Sequence, residues 1–149
     1  MNVKILRFVA LLFDALALAP ALAHAMELPN KINLSREDYL TVQQIYRGWN
    51  RLAVVVIGAL SSNLVLAALE RTKSRTWALN MIAFLCLVGT QVVFWRYTYP
   101  VNQQTHNWTV LPEQWQELRK QWEYSHATSA GLNLIALITL TLSVLARDT

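Results

Sequence analysis

WALNMIAFLCLVGTQVVFW, residues 77–95, carries no charged side chain and has a tryptophan at each end. At ~1.5 Å rise per residue, a helix of this length covers roughly 28 Å, about the hydrocarbon thickness of a bilayer. Indole rings favour the headgroup boundary, so the two tryptophans mark two interfaces. One such run also suits a buried helix of a soluble domain, but several in a short chain do not.

Three further runs accompany it. Residues 127–146, ATSAGLNLIALITLTLSVLA, are uncharged and end at Arg147. Residues 52–69, LAVVVIGALSSNLVLAAL, lie between Arg51 and the Glu70-Arg71 pair. Their β-branched content would suit a strand, but the run is too long for one. Ser61, Ser62 and Asn63 within it suit a face turned toward other helices. Residues 8–25 are apolar apart from Asp14, Pro20 and His24. Lys4 and Arg7 precede this run, and Ala23-His24-Ala25 resembles a small-x-small signal cleavage site. An acidic residue inside a signal core would impair cleavage, so the segment reads as a first membrane helix, kinked near Pro20. The expected fold is an all-α, four-helix integral membrane bundle in one domain, with spans at about 5–26, 49–69, 77–97 and 125–146.

Composition agrees. The 149 residues are 54% hydrophobic and 15% charged, against about a quarter charged in soluble domains. Net charge is +4 with no basic block, which excludes an ordinary nucleic-acid interface. The sole cysteine, Cys86, lies in an apolar run and says nothing of redox compartment. No inverted repeat points to a transporter.

The connections are polar and aromatic. Pro29-Asn30 reads as a turn, and Ser35 followed by Asp38 as a helix N-cap. An amphipathic helix from Arg36 to Trp49 would carry Tyr39, Leu40, Val42, Ile45 and Tyr46 and run into the second span. Pro112 would open a long final helix that protrudes from the membrane before its span. The cluster Arg71, Lys73 and Arg75 in the short 70–75 connection, with Lys4 and Arg7, places both termini on the cytoplasmic side. A bacterial cytoplasmic membrane is the expected location.

Four spans bring distant residues to one mouth: His24 and Glu27, Asn50 and Arg51, Trp95 and Arg96, Glu123 and His126. Ionisable groups at that depth face one another or a wet cavity. His24 and Glu27 are three apart, as are Glu123 and His126, so each pair shares a helix face. Together they could hold a transition metal, as i,i+3 pairs do in helix bundles. A metal-free pocket with a histidine base and a purely structural network, with Glu27 and Glu123 paired to Arg51, Arg96 or Arg119, are the alternatives. His126 heads a polar stripe with Ser129 and Asn133, and imidazole exchanges protons near neutrality. His106, in a loop rich in Asn and Gln, reads as solvent-facing. Asp14 should face the bundle, remain protonated and find a partner in Asn63, Asn80 or Gln91, as polar glue between helices or, alternatively, as part of a proton path. Trp49, Trp95, Trp115 and Trp122 could line an aromatic substrate site or anchor the interface.

YPVN at residues 99–102 and LPEQWQELRKQWEYSH at residues 111–126 carry a resemblance. With Pro100, Asn102, Trp115, Leu118, Trp122 and His126 in a P-x-N and W-x-x-L-x-x-x-W-x-x-x-H pattern, and His24 closing the first helix, the chain resembles the anthrone-oxygenase-like family of small four-helix membrane proteins. Members often place an arginine three residues after the last histidine. Here Ser129 stands there, so no anion-binding role carries over to it. Fungal members oxidise anthrones to anthraquinones with dioxygen and without a cofactor. The resemblance therefore implies His126 as base, Asn102 or Arg96 stabilising a phenolate, and tryptophans packing the rings. A non-enzymatic membrane subunit or assembly partner, including a homo-oligomer, is the competing function.

Overall fold

The structure is a computed structural model, and it describes residues 2–146. Arg147, expected to end the last span, lies outside them. Six α-helices account for most of it: α1 Val3–Lys31, α2 Arg36–Gln43, α3 Ala53–Leu69, α4 Ser74–Val93, α5 Tyr99–Gln104 and α6 Trp115–Leu145. There is no strand among the described residues. Four helices are long and apolar enough to cross a bilayer, over Val3–Lys31, Trp49–Leu69, Ser74–Gln104 and Trp115–Leu145. The chain is an integral membrane helical bundle.

Lipid offers no hydrophobic drive between helices, so close van der Waals packing holds such bundles together. Small residues permit that approach. Ala10, Ala59, Ala83 and Ala136 are buried with Leu6, Leu66, Leu87 and Leu140 in one cluster drawn from α1, α3, α4 and α6. Large apolar side chains on the outer faces, such as Phe8, Val54, Leu85 and Ile138, are exposed as lipid contact requires. At one end of the cluster, Arg7 forms a buried ion pair with Glu70, whose second oxygen accepts from Asn80 Nδ2 at 2.9 Å.

Four expectations about the connections need correction. Pro29-Asn30 is no turn: α1 runs through both Pro20 and Pro29 to Lys31. A proline near a helix end forfeits one N–H bond, and the ladder resumes as Ile32 N–H donates to Leu28 O at 3.0 Å. The segment from Arg36 does not run on into the second span. It tightens to a 3-10 turn at Gln44–Tyr46, reverses at Gly48 (φ 89°) and restarts as a 3-10 turn at Trp49–Leu52. The third span does not stop near residue 97, because a π-helical turn at Phe94–Thr98 carries it into α5. The final helix, α6, opens at Trp115 and not at Pro112, whose carbonyl accepts from Trp115 N–H at 3.0 Å. The Ser35 cap is as expected, with Asp38 N–H donating to Ser35 Oγ at 3.1 Å.

Candidate functional site

The mouth is built on a face of α1 that the continuous helix creates. His24, Glu27 and Lys31 stand at positions i, i+3 and i+7, which coincide on a helix of 3.6 residues per turn. Glu123 and His126 face them from α6, and α2 with the following 3-10 turn lays Tyr39 and Tyr46 across the top. Seventeen residues separate Arg7 from His24, or about 25 Å of helix, so the mouth lies at the far hydrocarbon boundary from the Arg7–Glu70 pair.

Lys31 is the centre of this group. Its Nζ lies 3.2 Å from Glu123 Oε1, 3.2 Å from Glu27 Oε2 and 3.5 Å from His24 Nδ1, and donates to Tyr46 OH at 2.9 Å. The Tyr46 ring centroid lies 4.8 Å away and that of Trp122 5.4 Å. Glu123 also accepts from Tyr39 OH at 2.9 Å, and Tyr46 OH donates to Glu27. Burial and the Glu123 carboxylate push the Tyr39 phenol far above its ordinary value. Burial and the Glu27 carboxylate do the same to Tyr46. Glu27, with a side chain 40% exposed, is the wet end of the network, while the Glu123 side chain is fully buried.

Beneath it the two imidazoles stack, centroids 4.2 Å apart and planes tilted by 27°. Trp122 meets His126 at 4.2 Å and His24 edge-on at 5.0 Å, and Tyr46 and Trp49 close the His24 side at 4.4 and 5.4 Å. Trp122 is fixed in turn by its Nε1–H, which donates to Asn102 Oδ1 at 2.8 Å. Nε2 of His126 is buried and has no hydrogen-bond partner, nor does Oε2 of Glu123. Among the described residues no side chain or carbonyl bonds to that ring nitrogen, and it is the free hydrogen-bonding capacity of the mouth.

Of the residues expected here, His24, Glu27, Glu123, His126, Trp122 and Trp49 do come together, and Asn102 acts on the group through Trp122. Arg96 does not: it is exposed, with its guanidinium over the Tyr97 ring at 5.6 Å. Trp95 is also exposed and packs on Phe94 and Tyr99, as an interfacial anchor would. Asn50 and Arg51 face outward. Trp115 lies on the outer side of the cap, 6.3 Å from Tyr39 and 4.6 Å from the Arg119 guanidinium. His106 is exposed, as expected.

The transition-metal site from His24, Glu27, Glu123 and His126 needs correction. Among the described residues no three His, Cys, Asp or Glu side chains are placed to hold a metal ion. The cation that the two carboxylates share is the Lys31 ammonium itself. Nor do Glu27 and Glu123 pair with Arg51, Arg96 or Arg119, since Arg119 donates to Leu34 O at 2.8 Å.

Sequence reasoning missed Lys31, Gln43 and Trp108. Trp108 is buried against Tyr39 and Trp122 at 5.0 and 5.9 Å, delivered by a loop in which His106, Asn107 and Trp108 all have positive φ. Three left-handed non-glycine residues in a row store strain. Asn107 N–H to Asn102 O at 2.7 Å and Trp108 N–H to Thr105 Oγ1 at 3.1 Å hold them there.

No protein-family model matches the chain, and no curated protein and no solved structure matches it.

Proposed function

We propose that the chain is a membrane-embedded oxidoreductase of the oxygenase type, acting on a lipophilic phenolic or quinone-like small molecule with His126 as general base. The observation that carries this reading is the buried, unpartnered Nε2 of His126 in a wall of Trp122 and His24. The mouth lies at the headgroup boundary, where a phenol-bearing polycycle also comes to rest, rings in the hydrocarbon and hydroxyl toward water. His126 takes the acidic proton of the ring system. The carbanion combines with dioxygen, and loss of one water leaves the quinone, so substrate and dioxygen enter and quinone and water leave. Glu27 and Glu123 are held by Lys31 beside the imidazoles. Asn102 positions Trp122 as a ring wall. The termini face the cytoplasm, and the membrane is a bacterial cytoplasmic one, on the strength of the basic 70–75 connection.

One observation favours a second reading, a non-catalytic membrane subunit or self-assembling partner. The face-to-face packing of His24 on His126, with Lys31 donating to its neighbours, would serve equally as a structural network. The test is oxygen uptake by detergent-purified protein given anthrone as the probe. His126→Gln should lower the rate by about 10²–10⁴-fold with an unchanged helical spectrum. Equal rates in the two proteins would leave only the structural reading.

A further inference from the structure

Asp14 lies ten residues below His24 on α1, about 15 Å deeper in the bundle, and is 1% exposed. Among the described residues its side chain has one hydrogen bond, from Asn63 on α3: Asn63 Nδ2 donates to Asp14 Oδ1 at 2.8 Å. The other hydrogen of that amide goes to Ala59 O at 2.9 Å, so Asn63 has no donor left. Two acceptors remain, Asp14 Oδ2 and Asn63 Oδ1, both buried and neither partnered. Among the described residues no basic side chain pairs with the carboxyl. Arg7, two turns away on the same helix, is committed to Glu70.

An ionised Asp14 would leave two oxygens without a donor and a net charge in the lipid interior, both strongly unfavourable. One hydrogen resolves both. On Oδ2 it is a donor for Asn63 Oδ1, and the acid and amide close a ring of two antiparallel hydrogen bonds. We propose that Asp14 with Asn63 is a proton-binding site at the middle of the membrane, carrying its proton as a carboxylic acid paired with the amide. The proton comes from water, forms the O–H bond at Oδ2, and no other bond changes.

The surroundings of this site differ on its two sides. Thr90 on α4 and Asn133 on α6 each lie eight residues inward of the Thr98–Ser125 contact, which joins the two hydroxyls at 2.8 Å. They are therefore at one depth, about 12 Å below the mouth and just short of Asp14. Toward the termini, Ala10, Leu66, Ala83 and Leu140 form a layer from four helices, each with no exposure. Thr90 and Asn133 thus lie on the mouth side of Asp14, and the apolar layer lies on the other.

Infrared spectra of the chain reconstituted in lipid bilayers at neutral pH test this directly. Carboxyl-13C aspartate, incorporated without any mutation, should shift a carbonyl band of un-ionised carboxylic acid. The same band should shift again in D2O and be missing in Asp14→Asn. Asn63→Leu should keep the band but raise its frequency, since the ring is lost. No label-sensitive acid band at neutral pH overturns the proposal, as does a band that sodium or potassium chloride abolishes, which would make the occupant a monovalent cation. A band of unchanged frequency in Asn63→Leu overturns the paired ring.

Discussion

Lys31 places one positive charge between two carboxylates in a site where its own side chain is 5% exposed and that of Glu123 not at all. Taking away one partner of such a pair leaves an uncompensated buried charge, which costs about 3–5 kcal/mol, whereas replacing both with neutral groups costs far less. Lys31→Met should therefore unfold in detergent at markedly lower denaturant, and Lys31→Met/Glu123→Gln should regain much of the loss. Strict additivity of the two substitutions would show that the pair is not coupled. Tyr39 and Tyr46 offer an alkaline test. Below about pH 10 their phenols are protonated whether the chain is folded or not. Above it the unfolded chain ionises them and the folded chain does not, so stability falls as pH rises through this range. In the folded protein, Tyr39→Phe should leave the tyrosinate absorbance at about pH 11 unchanged. A loss of one tyrosine's signal would mean that Tyr39 ionises in place. Much at this scale was legible: the i,i+3 spacings of His24 with Glu27 and of Glu123 with His126 named four of the mouth residues. Lys31 was not, because Pro29-Asn30 has the composition of a turn. That reading ended the helix before the position that completes the face.

Among the elements, two glycines matter for opposite reasons, one at the cap over the mouth and one deeper in the bundle. Gly48 sits at φ 89° between the two 3-10 turns, with nothing near the place of a Cβ. Gly48→Ala should cost only the left-handed backbone penalty, about 1–2 kcal/mol. Gly58 is an ordinary helical residue, but a Cβ there would stand 2.5 Å from the Phe13 ring of α1. Gly58→Ala should force α1 and α3 apart, costing about 1–3 kcal/mol, and Phe13→Leu in the same chain should recover part of it. Thermal unfolding of the three variants measures both effects. An undisturbed Gly58→Ala would contradict the close approach of these helices. The spans were legible because long uncharged runs have one solution in lipid, with every backbone group bonded within its own helix. Their ends were not. The π-helical turn at Phe94–Thr98 and the left-handed run at His106 to Trp108 answer to tertiary contacts, Thr98 with Ser125 and Trp108 with Tyr39, that no local pattern announces.

At the scale of the whole molecule, the four crossings give every polar group its position. They set the Arg7–Glu70 pair near one boundary, Asp14 with Asn63 in the middle and the stacked histidines at the other boundary. The aromatic side chains agree with this depth scale: Trp77 is exposed near the first boundary, and Trp95, Tyr97 and Tyr124 near the second. A chain with one crossing fewer would put His24 and His126 on opposite sides, and no mouth would exist. Side-specific labelling tests this most directly, with Cys86→Ser as background, single cysteines at Lys73 and His106, and an impermeant maleimide on sealed vesicles. The two positions should label from opposite sides of the membrane. Labelling of both from the same side would contradict the four-span bundle and, with it, the site.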